Sequence, residues 1–149
     1  MPQQPQEQRR RWLAVLARAA TAQLEACWAE TGQPALTLLR QPETGLVMAR
    51  GRAGGTGKRF NLGEITVTRC AVQSADGHIG HGYVAGRDRR KAELVASFDA
   101  LLQAESRRTA LLERVVEPLA NAQAEARAAT ARKAAATRVE FFTLVRGDG

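Results

Sequence analysis

Residues 43–88, ETGLVMARGRAGGTGKRFNLGEITVTRCAVQSADGHIGHGYVAGRD, decide the fold. Ten of the thirteen glycines fall in this span, so the turns and close backbone approaches belong here. Apolar and polar side chains alternate with period two, which marks strands, because successive side chains leave opposite faces. The alternation predicts strands over 45–52, 60–73 and 78–85. Between them lie a Gly-rich turn (Gly54, Gly55, Thr56, Gly57) and a turn at Ser74, Ala75, Asp76 and Gly77. Asp-Gly between alternating runs is a strong hairpin signal. Three strands joined by short turns make an antiparallel meander. The apolar run 36–41 sits between Pro34 and Pro42 and reads as an edge strand, since Pro cannot donate to a ladder. The sheet is then expected to hold about four strands.

Working outward, both flanks read as helix. Trp12, Val15, Leu16 and Ala19 recur at helical spacing over 9–20. A second helix starts at Thr21 or Ala22 and carries Leu24, Cys27 and Trp28. Gly32 stops it, with Pro34 just beyond. The two form a helical hairpin. Asp88 is placed to N-cap a helix running to about Ser106, with Leu94, Val95, Phe98, Leu101 and Leu102 as its stripe. Arg87, Arg89, Arg90 and Lys91 crowd its first turn, the wrong sign for the helix dipole. Residues 109–117 give a further amphipathic helix that Pro118 ends or kinks. Ten of the eighteen residues from 120 to 137 are Ala, which makes a helix by propensity with only a thin apolar face. Residues 139–146 read as an extended tail. The fold class is therefore α+β: N-terminal helical hairpin, antiparallel meander, C-terminal helices and extended tail.

A chain of 149 residues is expected to form a single domain, 1–149, with a Gln/Pro-rich start (1–8) lacking fixed structure. The net charge of +7 fits an acidic partner, whether nucleic acid, nucleotide, phosphate ester or acidic protein face, and fits equally a soluble protein that simply favours Arg. Nucleic acid is disfavoured, because one Tyr and two Trp, both in helical stripes, leave few stacking platforms. Cys27 and Cys70 form no CxxC, and free thiols fit a reducing cytoplasm. The first residues lack the apolar core of a signal peptide, and no run approaches the ~18 apolar residues of a membrane span. A cytoplasmic protein with no membrane contact is expected.

The string GGTGKR at residues 54–59 suggests a phosphate loop but fails the ATPase pattern twice. The position five before Gly57 is Arg52, and Lys58 is followed by Arg59. A Gly-rich turn beside two cations still suits a phosphate or phosphonate, although a plain hairpin turn with solvated cations is the commoner reading of such a string. Gly80, Gly82 and Ala85 spell GxGxxA inside a strand, where glycines permit a close backbone approach or a bulge rather than a dinucleotide fold. His78 and His81 are three apart and point to opposite faces, so no metal site is expected even with Cys70 nearby. Glu43, Glu64 and Asp88 fit solvated or capping roles. Thr56, Lys58 and Arg59, then Arg69 and Arg87, are the candidate substrate or anion contacts. Phe141 and Phe142, adjacent in an extended tail, would face opposite ways, one inward and one toward a partner.

The strings ETGLVM, GGTG, FNLGEITVTRC and YVAGRD, with RVEFFTLVRGDG near the C-terminus, together resemble the PhnG family of bacterial phosphonate use, from about Arg11 onward. The resemblance implies a subunit of the carbon–phosphorus lyase core complex. With PhnH, PhnI and PhnL, that family moves the ribose triphosphate part of ATP onto an alkylphosphonate and releases adenine. It assembles also with PhnJ. The resemblance implies an enzyme subunit that is not catalytic alone, ATP as the complex's substrate, and no cofactor of its own. It brings no catalytic residue onto a position here. The alternative class is a basic nucleic-acid- or anion-binding module without catalysis.

Overall fold

The alternating stretch and the helices that flank it build a sheet with helices packed on one face. A computed structural model describes residues 5–52, 57 and 59–147, with side chains for all of these except 52 and 140–147. The order is α1 (Pro5–Arg18), α2 (Thr21–Glu30), β1 (Leu36–Arg52), β2 (Arg59–Ser74), β3 (Ile79–Ala85), α3 (Arg89–Leu102), α4 (Glu105–Leu111), a π-helical segment (Leu112–Val116) and α5 (Glu117–Gly147). The strands form one antiparallel sheet in the order β1-β2-β3.

The described sheet has three strands rather than about four, because 36–41 is the first part of β1. The pairing shifts register between Leu38 and Arg40 and again between Arg40 and Glu43. Those bulges absorb Pro42, which has no N–H to give, on a strand that is indeed an edge. The turn after β2 closes as predicted, with the Gly77 N–H on the Ser74 carbonyl at 2.9 Å and Gly77 at φ +91°.

Helix α3 is the centre of the core. Every residue from Leu94 to Leu102 is buried, so the helix is enclosed on both sides rather than along one stripe. One side meets β2 and β3; the other meets α1 and α2. Trp28 meets Phe98 edge to face at 5.4 Å. On β3, Gly80, Gly82 and Val84 are buried while Ile79, His81, Tyr83 and Ala85 face outward. A Cβ on Gly80 would lie 1.9 Å from the Ala96 carbonyl oxygen, and one on Gly82 would lie 1.9 Å from that of Ala92. The two glycines are there so that helix and strand backbones can touch.

Asp99 is the polar element of this core. Its carboxylate is fully buried and accepts from Arg9 Nε (3.1 Å), Arg9 Nη2 (2.8 Å), Trp12 Nε1 (2.8 Å) and the His81 backbone N–H (2.9 Å). It ties α1, α3 and β3 together.

Asp88 caps α3 as expected, accepting from the Lys91 N–H at 2.9 Å and from the Thr21 hydroxyl. The basic first turn of α3 is partly offset from within the chain: Arg90 pairs with Glu25 of α2 at 2.7 Å and with Glu93 at 3.0 Å. The Thr21 hydroxyl, then the Lys91 N–H, hold the Asp88 carboxyl below its usual range. A group with a lowered folded pKa stabilises above its unfolded value and loses that effect as the pH falls. Asp88→Ala is therefore expected to cost about 1 kcal/mol near neutrality, a typical cap loss. The gap between wild type and variant should close below about pH 4. Urea melts at pH 7 and pH 3 check this; an equal gap at both would refute the charged-cap account.

Four points differ from the sequence reading. Helix α1 takes in Pro5–Gln8, since Pro suits a first helical turn and Gln and Glu are good helix formers. Helix α3 stops at Leu102, and α4 begins three residues later. Pro118 does not end a helix. Just before it the ladder widens to a π turn, with the Glu117 N–H reaching the Leu112 carbonyl. Such a turn spreads the register shift that a proline requires over five residues. Finally, 139–147 is helical, not extended, because the Ala-rich helix propagates through it. Phe141 and Phe142 are thus about 100° apart around a helix rather than on opposite faces; their side chains lie outside the described residues.

Candidate functional site

The outer face of the sheet is open, and it gathers cations. Cross-strand register sets Arg40, Ala71 and His81 in one row and Glu43, Arg69 and Tyr83 in the next. Side chains that are directly opposite in such rows sit with Cβ atoms about 5 Å apart. The bulge at Leu38/Arg40 puts Arg40 in line with Ala71, bringing its guanidinium toward this face. The result is a shallow concavity of about 540 Å³ lined by Leu39, Arg40, Arg69, Ala71, His81 and Tyr83. Val67, 4% exposed, adjoins it under Glu43, Arg69 and Tyr83.

Arg40 and Arg69 make no ion pair among the described residues. Glu43 stands opposite Arg69 in register and tempers the field without closing on it. Two guanidiniums, an imidazole and a phenol around a shallow hollow can receive an anionic oxygen cluster, since a guanidinium matches phosphate or phosphonate oxygens two at a time. The half-exposed Tyr83 ring offers a flat apolar wall beside them.

The predicted residues do not converge on one place. Arg69 is in the hollow. Arg59 opens β2, ten residues away along the same strand, roughly 30 Å at strand rise. Arg87 is exposed in the turn before α3. Thr56 and Lys58 lie outside the described residues. Sequence reading missed Arg40, His81 and Tyr83 as neighbours of Arg69. The alternation over 79–85 could have found His81 and Tyr83, while Arg40 depends on a bulge that no local pattern announces.

The other candidates resolve as structural. Cys70 is on the inner face and His81 on the outer, so the Cys/His trio is not assembled. Burial first, then Glu93, pushes the Cys70 thiol up to about 11, which leaves it protonated at neutral pH. Among the described residues no three His, Cys, Asp or Glu side chains are placed to share a metal ion, and no helix is long and apolar enough to cross a membrane. A second hollow, about 230 Å³ between α2 and α4, contains Arg107 and Arg114 but also Glu30 and Cys27. The Cys27 thiol is raised by burial and then by Glu30, so it supplies no thiolate either.

Comparison with known proteins gives two findings. The family described as phosphonate metabolism protein PhnG matches residues 7–147. The chain is also similar to a protein of Rhizobium meliloti (strain 1021) named alpha-D-ribose 1-methylphosphonate 5-triphosphate synthase subunit PhnG. The two are 45% identical over 142 residues, covering 95% of this chain and 90% of that protein.

Proposed function

The chain belongs to the PhnG family of phosphonate metabolism proteins, and from that membership we propose that it is a subunit of the synthase that joins the ribose triphosphate of ATP to an alkylphosphonate. The observation that carries the reading is the 45% identity across almost the whole of both chains. In this reaction the bond from ribose C1′ to the adenine nitrogen breaks. A phosphonate oxygen bonds to C1′, and adenine leaves with a proton. ATP has its base on the β face and the product is the α anomer, so a single displacement with inversion accounts for the stereochemistry. Two anionic groups must approach one another, and cations that neutralise both are the natural contribution of a basic subunit.

The assembly proposed is with PhnH, PhnI and PhnL, and with PhnJ in the core complex, in the cytoplasm. Two groups of residues are the candidate contacts for triphosphate or phosphonate: Arg40 and Arg69 of the outer-face hollow, and Thr56, Lys58 and Arg59 of the Gly-rich stretch. Arg87 stands apart from both. Phe141 and Phe142, at the end of α5, remain candidate partner contacts. They follow a stretch, 129–139, that is exposed at every position.

The isolated protein is expected to release no adenine from ATP plus methylphosphonate, whereas the set with PhnH, PhnI and PhnL does. Turnover by this chain alone would overturn the subunit reading. Two double variants, Arg40→Ala/Arg69→Ala and Lys58→Ala/Arg59→Ala, separate the two groups. Each change is expected to stay within about 0.5 kcal/mol of fold stability. The group that meets substrate should cost at least tenfold in rate, roughly 1.4 kcal/mol at the transition state. Two intact complexes with unchanged rates would show that neither group of residues touches substrate.

A further inference from the structure

The sheet continues well past the helices that cover it. β3 pairs with β2 only from Val67 to Gln73. A hydroxyl clip marks the end of the covered part: Thr68 Oγ1 donates to the Gly86 carbonyl at 2.7 Å and meets Thr44 Oγ1 at 3.0 Å. Beyond it, residues 46–52 of β1 and 59–66 of β2 pair as two strands, with the Gly86 N–H reaching the Thr66 carbonyl at their base (2.8 Å). They form a two-stranded arm. Leu46, Met48, Phe60, Leu62 and Ile65 on this arm are 46–64% exposed. Both faces are apolar: Leu46 and Met48 share one, while Val47 and its cross-strand partner Ile65 share the other.

A two-stranded ribbon with no third layer is marginal in water, and five large exposed apolar side chains make it more so. An apolar patch on one face would suit a flat surface. Apolar side chains on both faces suit enclosure in a groove. Charge then selects the occupant. The two arm segments carry Arg50, Arg52 and Arg59 against Glu64 alone, on a chain of net charge +7. A second copy would bring cations to cations, which opposes self-association. We propose that the arm inserts into an apolar groove with an acidic rim on a different polypeptide, and that this insertion is how the chain joins its assembly. The inference rests on the subunit reading above and adds to it the surface used and the chemistry of the partner's groove.

The test uses the full chain. Leu46→Ser/Leu62→Ser is expected to leave the free protein's melting temperature unchanged and to weaken capture by immobilised PhnH–PhnI–PhnJ assembly at least tenfold. Arg50→Glu/Arg59→Glu should do the same, and wild-type capture should weaken as salt is raised. Arm amides should exchange quickly in the free protein and slowly in the complex. If wild type is captured and Leu46→Ser/Leu62→Ser is captured equally well, the arm is not the docking element and the subunit reading still stands. If wild type is not captured at all, both readings fall. If wild type forms dimers in isolation that Leu46→Ser/Leu62→Ser splits, the groove belongs to a second copy and the proposal is wrong about its occupant.

Discussion

Gly82→Ala is expected to destabilise the protein by about 3 kcal/mol or more, the upper range for overpacking a filled core. Gly80→Ala should behave alike. In an exposed strand the same change would be neutral or slightly favourable, because Ala loses less backbone entropy on folding than Gly. The sign is reversed here by what the new methyl would meet. At Gly82 the nearest atom is the Ala92 carbonyl oxygen, 1.9 Å away; at Gly80 it is the Ala96 carbonyl oxygen at 1.9 Å, with the Ala100 nitrogen at 2.5 Å. These are backbone atoms of a buried helix, which cannot rotate aside as a side chain can. Relief requires α3 to lift from the sheet, and α3 is also packed against α1 and α2. Gly45→Ala is the internal control. It lies in the same sheet with nothing within 4 Å of the added carbon. Urea unfolding should show a loss for Gly80→Ala and Gly82→Ala and little change for Gly45→Ala. A cost under 1 kcal/mol for both would mean that helix and strand are not in backbone contact.

That contact explains much of what was and was not legible in the chain. The three strands, the Asp76-Gly77 turn, the two N-terminal helices and the Asp88 cap all rest on local rules: period two, period 3.6, turn chemistry and capping. Each is visible within a dozen residues. The helical hairpin does not form, since α1 and α2 each pack on α3. The GxGxxA string left a close approach and a bulge both open and did not say which element came close; that required knowing that Ala92, Ala96 and Ala100 share a face of α3. The bulges around Arg40 and Pro42 escaped because register is settled between strands, not along one. The end of α5 escaped for another reason. Residues 139–146 have strand-like side chains, yet they follow a long run of alanines, and helix extension costs far less than a new start. The hollow around Arg69 was half legible: its cations were evident one at a time, and their grouping depended on pairing across the sheet.

Asp99, the one acid in the run LVASFDALL at 94–102, drew no notice in the sequence, and it is expected to be the most sensitive single side chain in the core. Asp99→Ala should cost about 3–5 kcal/mol, the range for breaking a buried ionic group by removing one partner. The reason is the number of donors it leaves behind. Trp12 Nε1 and the His81 N–H, at 2.8 and 2.9 Å, lose their acceptor, the first in a fully buried position and the second in a part-buried one. Each unsatisfied donor costs about 1–3 kcal/mol. Arg9 suffers less, since its side chain is 36% exposed and can turn toward solvent. This asymmetry gives a sharper test than the loss alone. Arg9→Met keeps Asp99 bonded to Trp12 and His81 but strips its countercharge, so it too should destabilise. Arg9→Met with Asp99→Ala should then cost less than the sum of the single changes, because the charge uncovered by the first is deleted by the second. Asp99→Asn keeps the volume while offering one oxygen where two accept now, and should fall between wild type and Asp99→Ala. Chemical unfolding of the four variants measures the whole series. Additive single and double changes, or an Asp99→Ala protein as stable as wild type, would show that the carboxylate does not hold α1, α3 and β3 together.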